Sequence, residues 1–291
     1  MEDIVNIILE KQRVKNLDTL GNWDLFADHR QHIKRLIQSQ ENVGNKRICI
    51  LGAGNCNDLD LEYLAHSFKE IHLVDIDKGA LINGVWKQRV NHFPNIYIHG
   101  DIDLSGIYSY LEEWRYQRPD HKTITDCIRK ANRFDGLRFD QNFDVVVSTC
   151  LLTQLMQSII TTRIDWKNEL KLIFAIRNRH LRLLVQLLSD NGRCIFVTDL
   201  VSSDTVPILS SVNESNLFDL MLDLISNHNF FTGVNPFIIE QILREDPRIE
   251  TLEFIYPWLW RISSSRIYVV YAFTMTKRSF LKNACVDTAC L

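Results

Sequence analysis

The sequence predicts one α/β domain, with a mostly parallel sheet of seven strands, helices on both faces and an antiparallel last pair of strands. Short apolar runs alternate with segments of helical periodicity, as in a parallel sheet that is covered on both faces. The last two runs, 249–256 and 267–275, have no helical pattern between them, and such a short connection joins antiparallel strands. The 291 residues, 46% of them hydrophobic, suffice for one large core.

The first five strands are predicted from short continuous apolar runs. These runs are 48–51, 71–74, 96–98, 143–147 and 194–197. Helical spacing of apolar residues follows four of them, as after the first run, where Leu61, Leu64 and Phe68 share one helix face, whereas the segment after the third run is only weakly periodic. A long helix that begins near residue 170 is predicted to stop at Asn191-Gly192.

Three segments are predicted along the chain. Residues 1–45 form an N-terminal helical cap, residues 46–277 form the main domain, and residues 278–291 form a C-terminal tail. An insertion at about 106–140 is long for a connection, so it is expected to carry structure of its own.

Composition and charge exclude several classes of protein. With 33 Lys and Arg against 36 Asp and Glu, the net charge of −3 lacks the basic excess that drives nucleic-acid binding. The N-terminus has no cationic region, and the apolar runs are far shorter than the roughly 20 residues that span a bilayer. We therefore expect a cytoplasmic protein that binds neither membranes nor nucleic acid.

Cysteine and histidine spacing predicts neither disulfides nor a metal site. The seven cysteines are an odd number, and the pair Cys285 and Cys290 lacks a second pair at zinc-ligand spacing. Reduced thiols are expected. The histidines show no coherent ligand spacing with carboxylates; those considered are His29, His32, His99 and His180.

Parallel sheets bind ligands outside the carboxyl ends of their strands, so the residues after each strand matter most. Gly52 and Gly54 follow the first strand, where they permit a tight turn and close approach of a ligand. Asp75 follows the second strand, 23 residues after Gly52, where a carboxylate can accept both hydroxyls of a ribose. Asp101 follows the third strand and can accept from an exocyclic amine. The alternatives are a plain strand-to-helix turn and solvated acidic turns.

The ordered motifs resemble those of the class I S-adenosylmethionine (SAM)-dependent methyltransferases. The matching segments are 50–54, 73–77, 100–101, 143–148 and 188–192, and the resemblance covers roughly residues 45–275. It implies a Rossmann-like fold, SAM as the cofactor and methyl transfer as the activity. Cys56 stands where many members have a third glycine.

The resemblance also implies a role for individual residues. The glycine turn would pass under the methionine part of SAM, Asp75 would hold the ribose, and Asp101 would bind the adenine amine. Ile76 and Ile102 would flank the adenine ring, and Ser148 would offer its backbone carbonyl to the SAM ammonium. The full predicted cofactor-binding set is Gly52, Ala53, Gly54, Asn55, Asp75, Ile76, Asp77, Asp101, Ile102, Ser148 and Thr149.

Two alternatives share this architecture. A nicotinamide-dependent dehydrogenase needs glycine at the sixth position of Gly-x-Gly-x-x-Gly, where this chain has Asn57, and it is disfavoured. A SAM-fold protein without methyl transfer, such as an aminopropyl transferase or a binding module, would keep the same pocket residues and stays open.

The acceptor is expected to be a small molecule that is methylated on O, N or C. The turn at 148–151 lacks the Asn/Asp-Pro-Pro-aromatic motif of enzymes that methylate nucleic-acid bases. Substrate walls are predicted in the N-terminal helices, the insertion and 202–235, with Trp23 and Arg30 as candidates and Leu25 and Phe26 as core. Asp199 follows the fifth strand and is a candidate for substrate binding or catalysis, with a structural hydrogen-bonding role as the alternative.

The stretch 256–260 is unusually aromatic. Two interpretations of these aromatic residues stay open, namely packing at a strand end and an interface with a second subunit.

Overall fold

A computed structural model describes residues 7–38, 45–133, 137–160, 162 and 164–279 of the chain. Cys285, Cys290 and most of the predicted tail lie outside these residues, as do residues 1–6 and 39–44 of the predicted cap. The strands are β1 Arg47–Leu51, β2 Glu70–Val74, β3 Ile96–His99, β4 Phe143–Thr149, β5 Leu188–Ser202, β6 Ile249–Arg261 and β7 Ile267–Lys277.

The seven strands form one sheet in the order β3-β2-β1-β4-β5-β7-β6. Pairing is parallel from β3 to β5, and β7 pairs antiparallel with both β5 and β6. The predicted mostly parallel sheet with an antiparallel last pair is thus confirmed. Strand order reverses at β1, which lies between β2 and β4, and this is where such sheets open a crevice at their carboxyl edge.

Helices cover both faces of the sheet. They are α1 Ile7–Thr19, α2 Ala27–Gln38, α3 Leu61–Ser67, α4 Lys78–Lys87, α5 Tyr108–Tyr116, α6 His121–Arg133, α7 Leu151–Ile160, α8 Trp166–Leu187, α9 Leu217–Ser226 and α10 Pro236–Arg244. Side chains of α2, α3 and α4 bury one face, and those of α5 to α10 bury the other. Successive residues of β1 alternate between the two cores, because side chains of a strand point to opposite faces.

The predicted insertion contains α5 and α6. Trp114 of α5 and Ile124 of α6 are buried in the larger core, which explains why this long connection holds a defined structure.

The predicted helix stop at Asn191-Gly192 is wrong. Helix α8 ends at Leu187, and the chain enters β5 at Leu188. Asn191 has a φ of 59°, and a Cβ on Gly192 would lie 2.8 Å from the carbonyl oxygen of Ser189. Both residues therefore belong to an irregular stretch at the start of β5 and not to a helix terminus. The register of the pairing between β4 and β5 shifts at this stretch.

The aromatic stretch 256–260 packs against α2. The indole N–H of Trp258 donates to Nδ1 of His29 at 3.0 Å, and His32 stacks on the same indole with ring centroids 5.1 Å apart. Tyr256 is 66% exposed. These contacts support the packing explanation for Trp258 and Trp260, whereas a subunit interface stays untested.

Among the described residues, no helix combines the length and apolar character that a membrane crossing needs. The five described cysteines, at 49, 56, 127, 150 and 194, are buried and free of disulfides.

Candidate functional site

The glycine turn after β1 is tightly built. The N–H groups of Gly52 and Ala53 both donate to the carbonyl of Val74 at the end of β2. Gly52 has a φ of 77°, and a Cβ there would lie 2.8 Å from Cβ of Leu151, so only glycine fits. Cys56 also has a positive φ, of 56°. The position where a third glycine often stands therefore keeps the left-handed backbone even though it carries a side chain.

Asp75 joins this turn to the end of β2. One carboxylate oxygen accepts from the N–H of Gly54 and the other from the N–H of Asp77, each at 2.9 Å. The side chain is buried, and burial raises the pKa of Asp75 to about 6. Asp77 caps α4 by accepting from the N–H of Ala80, and it also accepts from the side-chain amide of Asn16. Its role in this structure is to start α4 and to hold α1.

A small cavity of about 20 Å³ lies at the ends of β2 and β3. Asp75, Ile76 and Ile102 line it together, as the predicted adenosine site requires. Gln12 of α1 and Tyr108 of α5 close its far side. Asp101 lies beside it but is exposed, with a φ of 59°, and lines no cavity described here.

A larger cavity of about 540 Å³ opens from the glycine turn. Five predicted cofactor-binding residues line it: Gly52, Ala53, Gly54, Asn55 and Thr149. Its volume is within the range of about 300–1,000 Å³ that small-molecule sites occupy. Gln12 and Gln154 line both cavities, so the two are neighbours along one crevice.

Ser148 does not line either cavity. Its side chain is fully buried in β4, and its Oγ lies 2.9 Å from Nε2 of His180 on α8. The predicted role of its backbone carbonyl in binding the SAM ammonium stays a prediction.

Asp58 lines the larger cavity and was not among the predicted site residues. Burial raises the pKa of Asp58 to about 6, while a hydrogen bond from the hydroxyl of Thr149 opposes that rise. An acidic residue three positions after a glycine turn at the carboxyl edge of a sheet was the signal that could have identified it.

Asp199 lies at the end of the regular part of β5 and lines the larger cavity, as its predicted role requires. The hydroxyl of Thr153 donates to Oδ1 of Asp199 at 2.6 Å. Burial raises the pKa of Asp199 to about 6, and both this hydrogen bond and the positive charge of Lys15 oppose the rise. At neutral pH this carboxylate is ionised but unusually basic.

Trp23 and Arg30 are not brought into either cavity. The guanidinium carbon of Arg30 lies 3.5 Å from the ring centroid of Trp23, and the same side chain donates to the carbonyl of Asn57 at 2.7 Å. These two residues brace the loop after β1 from outside. Phe26, predicted as core, is buried and also lines the larger cavity, whereas Leu25, which was predicted as core too, is exposed.

The wall of the larger cavity also includes aromatic residues that were not named individually as site residues. Trp260 of β6 and Tyr268 of β7 contribute rings from the closing strand pair, and Phe230 and Phe231 contribute from the predicted wall 202–235. The insertion contributes Tyr108 to the small cavity alone.

Helix α1 crosses the carboxyl edge over both cavities. Gln12 donates to Gln154 at 2.8 Å, and Lys15 donates to Gln157 at 2.6 Å. At the end of α1, the side-chain amides of Asn55 and Asn57 donate to the carbonyls of Asn16 and Thr19. The loop after β1 therefore fixes one end of this helix.

Within the described part of the chain, no three histidine, cysteine or acidic side chains form a group that could bind a metal ion. The expectation of a site without metal is not tested by this observation.

No protein-family model and no curated protein matches the chain. The solved structures similar to it include several methyltransferases. The N-methyltransferase NodS from Bradyrhizobium japonicum WM9 has 14% identity and a TM-score of 0.44, with 88% of this chain and 98% of that chain covered. The magnesium protoporphyrin IX methyltransferase ChlM from Synechocystis PCC 6803, solved with bound SAH, has 12% identity and a TM-score of 0.43, with 86% and 84% covered. These values are low, so the assignment below rests on the residues of this chain.

Proposed function

We propose that this protein is a SAM-dependent methyltransferase that acts on a small molecule. The observation that carries the proposal is the meeting of a glycine turn, a buried Asp75 and two isoleucines at the switch point of a parallel sheet. A cavity large enough for a second compound adjoins them.

The residues present fit SAM. The turn at Gly52 and Gly54 leaves backbone exposed for the methionine part, and Asp75 is placed to accept from the ribose hydroxyls beside Ile76 and Ile102. The carboxylate of Asp58 has a raised pKa and faces the larger cavity, where the positively charged amino group of SAM would stabilise its ionised form. Bound SAM supplies an activated methyl group on a sulfonium.

The protein then mainly aligns donor and acceptor and excludes water, which is catalysis by proximity. Helix α1 covers the crevice and suits the second task. The small cavity holds about one water, so the side chains around it must move apart when adenosine enters.

Calorimetric titration with SAM, S-adenosylhomocysteine (SAH), decarboxylated SAM and NAD tests the proposal. We expect binding of SAM and SAH. Binding of NAD alone would overturn it, and a clear preference for decarboxylated SAM would indicate aminopropyl transfer instead.

Replacing the ribose acceptor gives the sharper test. Asp75→Asn should weaken SAH binding by about 1–3 kcal/mol, because a carboxylate that accepts from two ribose hydroxyls is lost. The matched control is Asp126→Asn on the exposed face of α6, which should leave affinity unchanged. Thermal unfolding of both variants checks the fold, since Asp75 also holds the N–H groups of Gly54 and Asp77. Equal affinities for a folded Asp75→Asn variant and the control would exclude the ribose role.

A further inference from the structure

One side of the larger cavity is a continuous series of aromatic rings. Phe26 meets Trp260 edge to face with centroids 5.5 Å apart, Trp260 meets Tyr268 at 5.5 Å, and Tyr268 meets Phe231 at 6.3 Å. All four rings line the cavity, and we call them the aromatic wall. They come from the turn before α2, the closing strand pair and the loop after β5, so the fold assembles them at one place.

The aromatic wall carries an unused hydrogen-bond donor. The indole Nε1 of Trp260 is buried and has no hydrogen-bond partner among the described residues. A buried polar group without a partner is costly.

Asp199 lies in the same cavity, next to the wall. Its Oδ1 accepts from Thr153, and the backbone N–H of Asp199 itself also interacts with the carboxylate, which leaves acceptor positions open for a ligand. The titratable groups that face it are Lys15 of α1, Cys150 before α7, and Tyr268 and Tyr271 of β7. Lys15 is the one cation in this group, and its ammonium donates to Gln157 and not to Asp199. The carboxylate therefore has no cationic donor of its own in this group and can accept from a ligand.

The charges in the cavity disfavour an anionic acceptor. Three carboxylates line it, those of Asp18, Asp58 and Asp199, against the two cations Lys15 and Arg266, and Arg266 already pairs with Asp204 at 2.9 Å. A carboxylate or phosphate group on the acceptor would meet Asp58 and Asp199 instead of a free cation.

We propose that the methyl acceptor is a planar aromatic compound with an ionisable hydroxyl or ring N–H, that its ring packs on the aromatic wall, and that Asp199 takes its proton. Aromatic rings favour stacked and edge-to-face contact with other rings, which a saturated compound of equal size does not gain. The inference rests on the proposed function.

The chemistry of this step is balanced. The oxygen or nitrogen of the acceptor attacks the methyl carbon and forms the new bond, while the carbon–sulfur bond breaks and its electron pair stays on sulfur, giving SAH. The proton leaves the acceptor for Oδ2 of Asp199 and then passes to solvent. No oxidant or reductant is needed.

Binding is tested with a matched pair of probes, 2-naphthol and its saturated counterpart decahydro-2-naphthol. Calorimetry is performed on the free protein and on the protein saturated with SAH. We expect 2-naphthol to bind about tenfold more tightly than the saturated probe, given the preference of rings for rings. Equal affinity for the two probes, or no binding of either, would overturn the aromatic assignment.

Variants of the wall locate the binding site. Trp260→Leu and Phe231→Leu should each weaken 2-naphthol binding about tenfold by removing one ring contact. Trp86→Leu, on the exposed face of α4, is the matched control and should change nothing. Because Trp260 also stacks on His29, Phe231→Leu serves as the second variant if Trp260→Leu unfolds. Unchanged affinity in a folded wall variant would contradict the proposal.

The proton acceptor is tested by the pH profile of SAH formation with a panel of one- and two-ring phenols and N-heterocycles. The wild-type rate should fall below about pH 6, where Asp199 becomes protonated. Asp199→Asn should lower kcat by about 100-fold, lose that acid limb and leave KM nearly unchanged, and Asp199→Glu should restore part of the rate. An unaltered profile in Asp199→Asn, or no turnover of any member of the panel, would overturn the inference.

Failure of this inference is distinguishable from failure of the proposed function. If SAM and SAH bind but the aromatic probes neither bind nor react, the methyltransferase proposal stands and the acceptor assignment is wrong. If SAM and SAH do not bind, the proposed function itself fails.

Discussion

His180 is a buried polar residue that contacts the end of β4. It is fully buried on α8, and its Nε2 lies 2.9 Å from the hydroxyl oxygen of Ser148. Nδ1 has no partner among the described residues. We assign the proton to Nε2, which then donates to Ser148. The unpaired atom is in that case the acceptor Nδ1, which costs less to bury than an unpaired N–H. Burial lowers the pKa of His180 to about 3.

This shift predicts acid sensitivity. The folded-state pKa of His180 is depressed, so its contribution to stability is present above about pH 6.5 and is lost as the pH falls toward about 3. Between pH 6.5 and pH 5, the loss is about 2 kcal/mol in the free energy of unfolding. The double variant Ser148→Ala with His180→Phe should lose about 2 kcal/mol less than wild type over this range.

Urea unfolding at several pH values measures that difference. The buried carboxylates Asp58, Asp75 and Asp199 have raised pKa values and act in the opposite direction, but they are common to both proteins and cancel. His121→Asn, at an exposed position on α6, is the control. Parallel pH dependences for wild type and the double variant would contradict the assignment.

Single residues also mark the limit of what the sequence indicated at the site. Gly52, Asp75 and Ile76 follow strands directly, so their position at the carboxyl edge could be predicted from the strand pattern alone. Phe26 and Trp23 lie close together on one turn, and which ring enters the cavity depends on contacts with distant residues such as Asn57 and Trp260.

Among the elements, α1 is held differently from the helices of the core. Ile8 is its one buried hydrophobic residue among the side chains described, and Val14 and Leu17 are exposed. Polar side chains hold α1 in place through hydrogen bonds to α7 and to the loops after β1 and β2. An element with little buried apolar surface opens at low free-energy cost.

Hydrogen exchange should therefore report on α1. Its amide protons are expected to exchange much faster than those of β4, and SAH should slow them because the proposed binding site lies beneath the helix. Helix α8, which is buried along most of its length, should show no such change. Slow exchange of α1 in the free protein, or exchange that SAH leaves unaltered, would argue against α1 as the cover of the site.

The periodicity of apolar residues was sufficient to predict the strands and the helices α3, α4, α8 and α9, whereas α5 and α6 lie in a segment of weak periodicity and α7 was not predicted. The position of α1 was not predictable in this way, because its contacts join residues that are 36 to 142 positions apart and use ordinary polar side chains. Asn191-Gly192 carries a genuine helix-stop signal, yet the backbone of Ser189 and Phe143 lies too close to Gly192 for any side chain. Tertiary packing therefore places Asn191 and Gly192 in the irregular start of β5 and not at the end of a helix.

At the scale of the whole molecule, the sheet order explains why the two cavities proposed for cofactor and acceptor are neighbours. The reversal at β1 opens the crevice, and the insertion of β7 between β5 and β6 places Tyr268 and Trp260 beside Asp199. The parallel part of the sheet could be predicted from the alternation of strands and helices. The placement of β7 next to β5 could not, because nothing local to either strand specifies its neighbour in the sheet.

A crystal structure of the protein with bound SAH tests the central claim most directly. The account predicts ribose hydroxyls within about 2.6–3.2 Å of the Asp75 carboxylate, consistent with hydrogen bonds. It also predicts that the adenine lies between Ile76 and Ile102 and that the sulfur faces the cavity of Asp199. SAH bound elsewhere, or with its ribose turned away from Asp75, would contradict it.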